Sequence, residues 1–211
     1  MPAPLVVVIN GSPLPDSSVS KLLAALAAGA REGGAEVASF DCYALSVKPC
    51  VACGPDATSG YCIFNDDMDR VYAALERAHA VVAGSPVYFD TVSAPFKALI
   101  DRCNCVTPLV TLPGGGTGFA PKWARTRRGV FVTACSSNHT HELAEHTVRG
   151  WLKWVGAKWQ ETILWQHPDD DRGSVPAALV EHARAVGRSL AASPPLTAEP
   201  PGSPPAGRSP S

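Results

Sequence analysis

The chain has 211 residues, 45% of them hydrophobic and 18% charged, with a formal net charge of −1 at pH 7. That balance excludes the basic footprint of a nucleic-acid binder or of a protein that docks on anionic lipid, and no stretch approaches the ~20 apolar residues of a membrane span. The seven cysteines are an odd set, and the opening apolar run is too short and lacks the basic flank of a secretory signal. The expectation is a cytoplasmic protein with reduced thiols.

Strand and helix patterns alternate along the chain. Residues 5–9 (Leu-Val-Val-Val-Ile) read as a buried strand. They run into Asn10-Gly11-Ser12-Pro13, then the hydroxyls of Ser17, Ser18 and Ser20, then a helix over 18–31 with one apolar face. A second strand is expected over 36–40, after the turn at Gly33-Gly34. Residues 42–65 show no period and carry Cys50, Cys53 and Cys62. Met68, Val71, Tyr72 and Leu75 mark a helix over 66–78. A third strand over 79–84 leads into Ser85-Pro86-Val87-Tyr88-Phe89-Asp90, followed by a helix over 94–103. Residues 106–127 read as a long loop with Gly114-Gly115-Gly116 and the basic residues Lys122, Arg125, Arg127 and Arg128. A fourth strand (129–134), a helix (142–155, capped by Asn138 or Thr140), a fifth strand (158–165) and a last helix (175–191) complete the pattern. Residues 1–192 form one domain in this reading. Residues 193–211, rich in Pro, Gly and Ser, have too little apolar bulk to offset their ordering entropy and read as a disordered tail.

Such alternation argues a parallel sheet covered by helices on both faces, with right-handed crossovers. Ligands then sit beyond the carboxyl ends of the strands, where residues 11–20, 85–93 and 134–138 converge. The first of these loops opens a helix, so unpaired amides and the helix dipole favour an anion there. The spacing excludes a dinucleotide fingerprint, because only Gly11 is present, and a nucleoside-triphosphate loop, because Lys21 lacks its neighbours. A small phosphomonoester remains, beside the plainer reading that Ser17 or Ser18 merely caps a helix.

With these loops placed, the chain resembles the flavodoxin-like NAD(P)H-dependent FMN reductase family, in the branch that includes the iron–sulfur flavoproteins. Three stretches carry the resemblance: Gly11-Ser12-Pro13 with its hydroxyl loop, Gly84–Phe89 followed by Ser93–Arg102, and Cys50-Val51-Ala52-Cys53 with Gly60-Tyr61-Cys62-Ile63 and Asp66-Asp67-Met68. The family implies a three-layer αβα sandwich on a five-stranded parallel sheet of order 2-1-3-4-5. It implies FMN with its phosphate at Ser12, Ser17, Ser18, Val19 and Ser20, and its ring against Pro86, Val87, Tyr88, Phe89 and Ser93, with Ala134, Cys135 and Ser136 at the pyrimidine end. It also implies NAD(P)H as co-substrate, a small electron acceptor (quinone, flavin, ferric, nitro or azo compound) and a homodimer or homotetramer. The chain departs from the family in two places. Ser18 and Val19 stand where Asn and then Thr or Ser are usual, and Asp56 stands where the branch has a further cysteine.

Cys50-x2-Cys53-x8-Cys62 suits iron or zinc in type, and the resemblance suggests an iron–sulfur cluster. A closed site needs a fourth ligand, from Asp56, from Cys103 or Cys105, or from another subunit; alternatively the segment only packs, or Cys50 and Cys53 form a reversible disulfide. His139, His141, Glu142, Glu145 and His146 read as a solvated helix start, and Trp151, Trp154, Trp159 and Trp165 as core or subunit packing. Lys122, Arg125, Arg127 and Arg128 either meet a dinucleotide's phosphates or form a solvated loop. The resulting expectation is an FMN-dependent NAD(P)H oxidoreductase with no catalytic side chain. Its alternatives are an FMN and iron–sulfur electron carrier reduced by a protein partner, and an interaction module that has lost FMN.

Overall fold

The computed structural model of the chain describes residues 3–53, 61–111, 114–123, 125–168 and 173–192. Asp56 and the tail 193–211 lie outside the described residues. The elements in order are β1 (Leu5–Asn10), α1 (Ser18–Glu32), β2 (Glu36–Asp41), α2 (Met68–Arg77), β3 (Ala80–Pro86), α3 (Ala94–Arg102), β4 (Leu109–Thr111), β5 (Thr117–Phe119), β6 (Arg127–Ser136), α4 (Glu142–Trp154), β7 (Ala157–His167) and α5 (Ala177–Ala192). The main sheet has the order β2-β1-β3-β6-β7, and every pairing in it is parallel. This is the order expected from the sequence, with the five strands of the sheet renumbered by a small hairpin.

The central strands are apolar throughout because both of their faces are covered. In β1, Val7 and Ile9 point to one core and Val6 and Val8 to the other, following the two-residue period of a strand. The first core joins α2, α3 and α4 to the sheet through Tyr72, Phe96, Leu99 and Trp151. The second joins α1 and α5 through Leu22, Leu26, Ala183 and Leu190. These two helices meet at glycines: a Cβ on Gly29 would lie 1.9 Å from the Arg184 carbonyl oxygen, and one on Gly187 would lie 2.0 Å from that of Leu26. Among the described residues, no helix is long and apolar enough to cross a membrane.

Four details differ from the sequence reading. First, the stretch expected as a loop over 106–127 begins at the last residue of a 3-10 turn (Cys103–Val106) and contains the antiparallel hairpin β4–β5. Gly114, Gly115 and Gly116 turn this hairpin with φ of +93°, +91° and +85°, a region only glycine enters freely. Second, β6 begins at Arg127, two residues before its expected start. Third, His141 occupies the α4 cap position without a side-chain cap bond, so neither Asn138 nor Thr140 caps the helix. Fourth, β7 carries an extra residue where Gly129 pairs with Trp159 but Val130 pairs with Glu161.

Arg127 is fully buried. Its Nε donates to Leu75 O (2.7 Å), its Nη2 to Glu76 O (2.8 Å), and its Nη1 to Arg125 O (2.6 Å) and Val155 O (3.2 Å). Leu75 and Glu76 end α2, and Val155 follows α4. The last carbonyls of a helix have no partner within it and present the negative end of its dipole. One guanidinium therefore donates to carbonyls at the ends of two helices. Burial lowers its pKa to about 10, with Arg125 acting in the same direction.

Candidate functional site

Beyond the carboxyl end of β1, three serines share one hydrogen-bonded knot. The Ser12 and Ser17 hydroxyls lie 2.7 Å apart, Ser17 Oγ donates to Ser20 Oγ (3.0 Å), and Ser20 Oγ donates to Leu14 O (2.8 Å). Ser17 is the α1 cap and accepts the Ser20 amide at 3.1 Å. Asn10 braces the knot, accepting the Ser12 amide (3.0 Å) and donating to Ser20 Oγ (3.2 Å). The first turn of α1 itself carries no acidic residue, Asp16 standing just before the Ser17 cap, and the positive end of the dipole favours an anion there. Asn10 and Ser20 also border a cavity of about 240 Å³ that reaches Phe40 and Asp41 of β2. Ser18 and Val19 are placed differently. The Ser18 hydroxyl turns towards Ser174 O (3.4 Å), and Val19 is packed in the core with α1 and α5, so each offers the loop its backbone amide.

The exit of β3 is locked to that loop. The Gly11 amide donates to Gly84 O (2.7 Å), and Ser93 Oγ donates to Gly11 O (2.6 Å). Ser85 Oγ accepts the Ser93 amide (2.9 Å), and Thr133 Oγ1 donates to Ser85 O (2.8 Å). Ser85, Ser93 and Thr133 are fully buried. The Ser93 hydroxyl is thus committed to holding two loops together. A side chain at Gly11 has no room: its Cβ would lie 2.8 Å from Phe96 Cβ.

Beyond Pro86 the chain makes a two-residue turn. Tyr88 and Thr91 exchange backbone hydrogen bonds of 2.8 and 3.1 Å, with Phe89 at φ +49° and Asp90 at φ +62°. Two consecutive positive φ values define the geometry for which Asn-Gly is the usual sequence. A non-glycine residue there costs roughly 1–2 kcal/mol. Phe89 nevertheless stands fully exposed at the tip, with Tyr88 half exposed beside it. A strained backbone presenting a bare aromatic ring serves nothing in the fold, and such strain concentrates at ligand sites. The β6 exit lies alongside: Ala134 pairs with Pro86 and its carbonyl accepts the Val87 amide (3.3 Å). Cys135 is buried, and that burial pushes its thiol pKa up. Ser136 closes the turn that follows, accepting the His139 amide at 3.0 Å.

The cysteine segment lies elsewhere. Cys50, Cys53, Cys62 and Cys105 all line one cavity of about 330 Å³, together with Arg102 and Leu109. Cys50 and Cys53 are exposed, Cys62 is buried and Cys105 is half-buried. Cys103 is wholly buried in the core. Among the described residues, no group of three His, Cys, Asp or Glu side chains is placed to hold a metal ion. Sequence reasoning missed the frame behind this cavity. Arg102 clasps Asp66 with Nη1–Oδ2 at 2.6 Å and Nη2–Oδ1 at 3.1 Å, and also donates to Lys48 O (2.9 Å). Burial acts to raise the Asp66 pKa, but Arg102 and the amides of Lys48 and Met68 prevail and hold it below the usual value. The signal for this pair was present in the Asp66-Asp67 and Asp101-Arg102 motifs, but nothing in one dimension joins them.

The basic set does not converge. Arg127 is buried as described, Arg125 Nη1 donates to Arg77 O (2.9 Å), and the Lys122 ammonium lies 5.2 Å from the centre of the Tyr61 ring. Arg127 and Arg128 begin β6, whereas the three loops lie beyond the strands' carboxyl ends. Nine steps of a strand at ~3.3 Å each separate Arg127 from Ser136 by roughly 30 Å.

A doubly wound parallel sheet with a hydroxyl-lined helix start at its switch point defines a flavodoxin-like protein. The family model for NADPH-dependent FMN reductase matches residues 4–164, and the chain belongs to that family. It is similar to an iron–sulfur flavoprotein of Methanosarcina thermophila, 34% identical over 94 residues (44% of this chain, 49% of that protein). It is similar also to an iron–sulfur flavoprotein of Methanocaldococcus jannaschii, 33% identical over 97 residues (46% and 50%). The chain thus matches about half the length of these curated relatives. Among solved structures, the azoreductase AzrA superposes with a TM-score of 0.63 at 19% identity, covering 89% of this chain and 99% of that one; this likeness shows the fold.

Proposed function

We propose that the protein is an FMN-dependent oxidoreductase that draws hydride from NAD(P)H and passes electrons to a small acceptor such as a quinone, flavin, ferric, nitro or azo compound. The observation that carries this reading is the pairing of the serine knot at the α1 start with the strained turn that exposes Phe89, two loops tied together through Ser93 and Gly11. The residues present fit FMN. The knot and the first-turn amides of α1 suit a phosphomonoester, and Val87, Tyr88 and Phe89 offer an apolar wall for a flat ring. Bound FMN supplies the hydride and electron transfer. The chain binds the phosphate, orients the ring and keeps the loops in register through Ser85, Ser93 and Thr133. In this reading no side chain serves as nucleophile or base, and a homodimer or homotetramer completes the site.

The experiment is a visible spectrum of anaerobically purified protein before and after NADPH is added. Oxidised-flavin bands that bleach on addition support the reductase. A colourless protein that takes up no added FMN refutes it. A second reading, an FMN and iron–sulfur electron carrier reduced by a protein partner, is favoured by the four cysteines around one cavity and by the names of the relatives. Flavin bands unmoved by NADPH over a broad brown absorbance support that carrier.

A further inference from the structure

The iron–sulfur flavoproteins to which this chain is similar invite a cluster at the cysteine segment, but the chain has Asp56 where a cysteine of that pattern is expected. Three thiols do not close a four-thiolate site. The fold brings a fourth thiol to the same place from 43 residues beyond Cys62 in the sequence, on the 3-10 turn that follows α3. We propose that Cys105 supplies the missing thiolate of an iron–sulfur cluster held by Cys50, Cys53 and Cys62 in this cavity. The inference deepens the second reading of the function and does not depend on NAD(P)H.

Three observations converge on it. First, Cys103, two residues away and of the same type, is wholly buried and forms no part of the cavity wall, so the geometry selects Cys105 from the pair. Second, the fully buried Arg102 side chain is fixed through both Nη atoms to Asp66 and to Lys48 O, so the wall that carries Cys105 is anchored to the root of the cysteine segment. Third, the cavity suits a cluster better than a single ion. Structural zinc needs four ligands about 2.3 Å from one point, and among the described residues no three donors are so arranged. A cluster instead takes one thiolate on each of several irons, so its ligands stand around the wall of a chamber. Soft thiolates are the ligands that iron–sulfur clusters require, and the chamber of about 330 Å³ has apolar neighbours in Leu109 and Pro108. Insertion of iron and sulfide displaces one proton from each coordinating thiol.

The test uses the full chain, reconstituted anaerobically with ferrous iron and sulfide, with iron, labile sulfide, FMN and the EPR spectrum of the reduced protein measured on each sample. The wild type is expected to hold about four irons and four sulfides per chain. Cys105→Ser is expected to lose at least half of the iron and to change the EPR spectrum while retaining wild-type FMN. Cys103→Ser and Asp56→Ala are expected to match the wild type. A Cys105→Ser protein with unchanged iron, sulfide and EPR overturns the proposal, as does a wild type that takes up no iron or a loss confined to Asp56→Ala. Cluster uptake without FMN leaves the proposal standing and refutes the flavin reading instead. If Cys105→Ser does not fold, alkylation of the wild type decides: Cys105 is expected to be shielded in the loaded protein and labelled after chelation, and equal labelling in both states overturns the assignment.

Discussion

Replacing Asp66 by Asn tests the frame of the cysteine cavity. Asn keeps the size and shape of the side chain, removes its charge and turns one of its two acceptor oxygens, each of which takes N–H donors here, into a donor. The Asp66 side chain is 6% exposed and that of Arg102 is fully buried, joined by contacts of 2.6 and 3.1 Å. The variant leaves the Arg102 charge buried and uncompensated. Breaking one partner of such a pair costs about 3–5 kcal/mol. A domain of this size loses about 2–4 °C in Tm per kcal/mol, so the expected drop is about 6–20 °C at pH 7. The effect also has a pH signature. Asp66 is held below its ordinary pKa in the fold, so its contribution is fully present above the unfolded value of about 3.9. It fades as pH falls through the lowered folded-state value, where the wild type becomes as uncharged at this site as the variant. Thermal melts of both proteins from pH 7 down to pH 2, at fixed FMN concentration, follow the gap. A gap below about 1 kcal/mol at pH 7, or one that does not narrow in acid, refutes the argument. The double variant Asp66→Asn/Arg102→Met is expected to recover part of the loss, because replacing a whole buried pair is far cheaper than orphaning one half of it.

Three other predictions follow from single residues. Ser17→Asp keeps a good helix cap but sets a negative charge where the phosphate is proposed to bind; FMN affinity by fluorescence quenching is expected to fall at least tenfold with the Tm of the FMN-free protein within 2 °C of wild type, each unit of log affinity being about 1.4 kcal/mol. In Gly187→Ala the new Cβ would press 2.0 Å from Leu26 O, a backbone atom that cannot swing aside, so urea unfolding should register a loss of about 1–3 kcal/mol. Gly150→Ala on α4, whose Cβ would meet nothing within 4 Å, should instead gain up to about 1 kcal/mol, and equal effects at the two sites would refute the packing account. Asp90→Gly relieves a positive φ of 62° and is expected to raise stability by about 0.5–1 kcal/mol, read as a higher urea midpoint; no gain would mean that the turn holds no strain at that residue.

The sheet was legible in the sequence because β1, β3 and β6 are buried on both faces and so read as apolar runs with turn residues behind them. The serine knot was legible for a local reason: Ser12, Ser17 and Ser20 lie within nine residues, at a helix start marked by its own periodicity. The hairpin β4–β5 was not legible, since strands of three residues are too short to show alternation. Arg127 was misread because a charge in a basic stretch implies solvent, and only the three-dimensional arrangement shows two helix ends in need of donors. Ser93 sits where the family places a ring contact, yet the bonds that occupy its hydroxyl reach across 82 residues to Gly11. The cavity likewise depends on long-range closure, with Cys105 and Arg102 arriving from another helix layer than the cysteine segment.

The buried Arg102 and Arg127 act on the same helix from opposite ends. Asp66, two residues before α2, accepts the Met68 amide (3.1 Å) and carries negative charge at the end where the dipole favours it. Arg102 fastens that end to the end of α3. Arg127 fastens the other end, through Leu75 O and Glu76 O, to the first residue of β6. Between them Tyr72 Oη donates to Arg102 O (2.7 Å), and Cys105 Sγ lies 3.2 Å from that same carbonyl. The α2 helix is therefore held at both ends and in the middle, and the wall formed by Arg102 and Cys105 inherits that rigidity. Cys50 and Cys53 face it from an exposed segment tied down at Ser46 and Lys48, whose amides donate to Asp67 and Asp66. A preorganised wall opposite an exposed segment lets the thiols meet a ligand at limited cost to the core, because the ordering cost then falls on a few residues rather than on the fold.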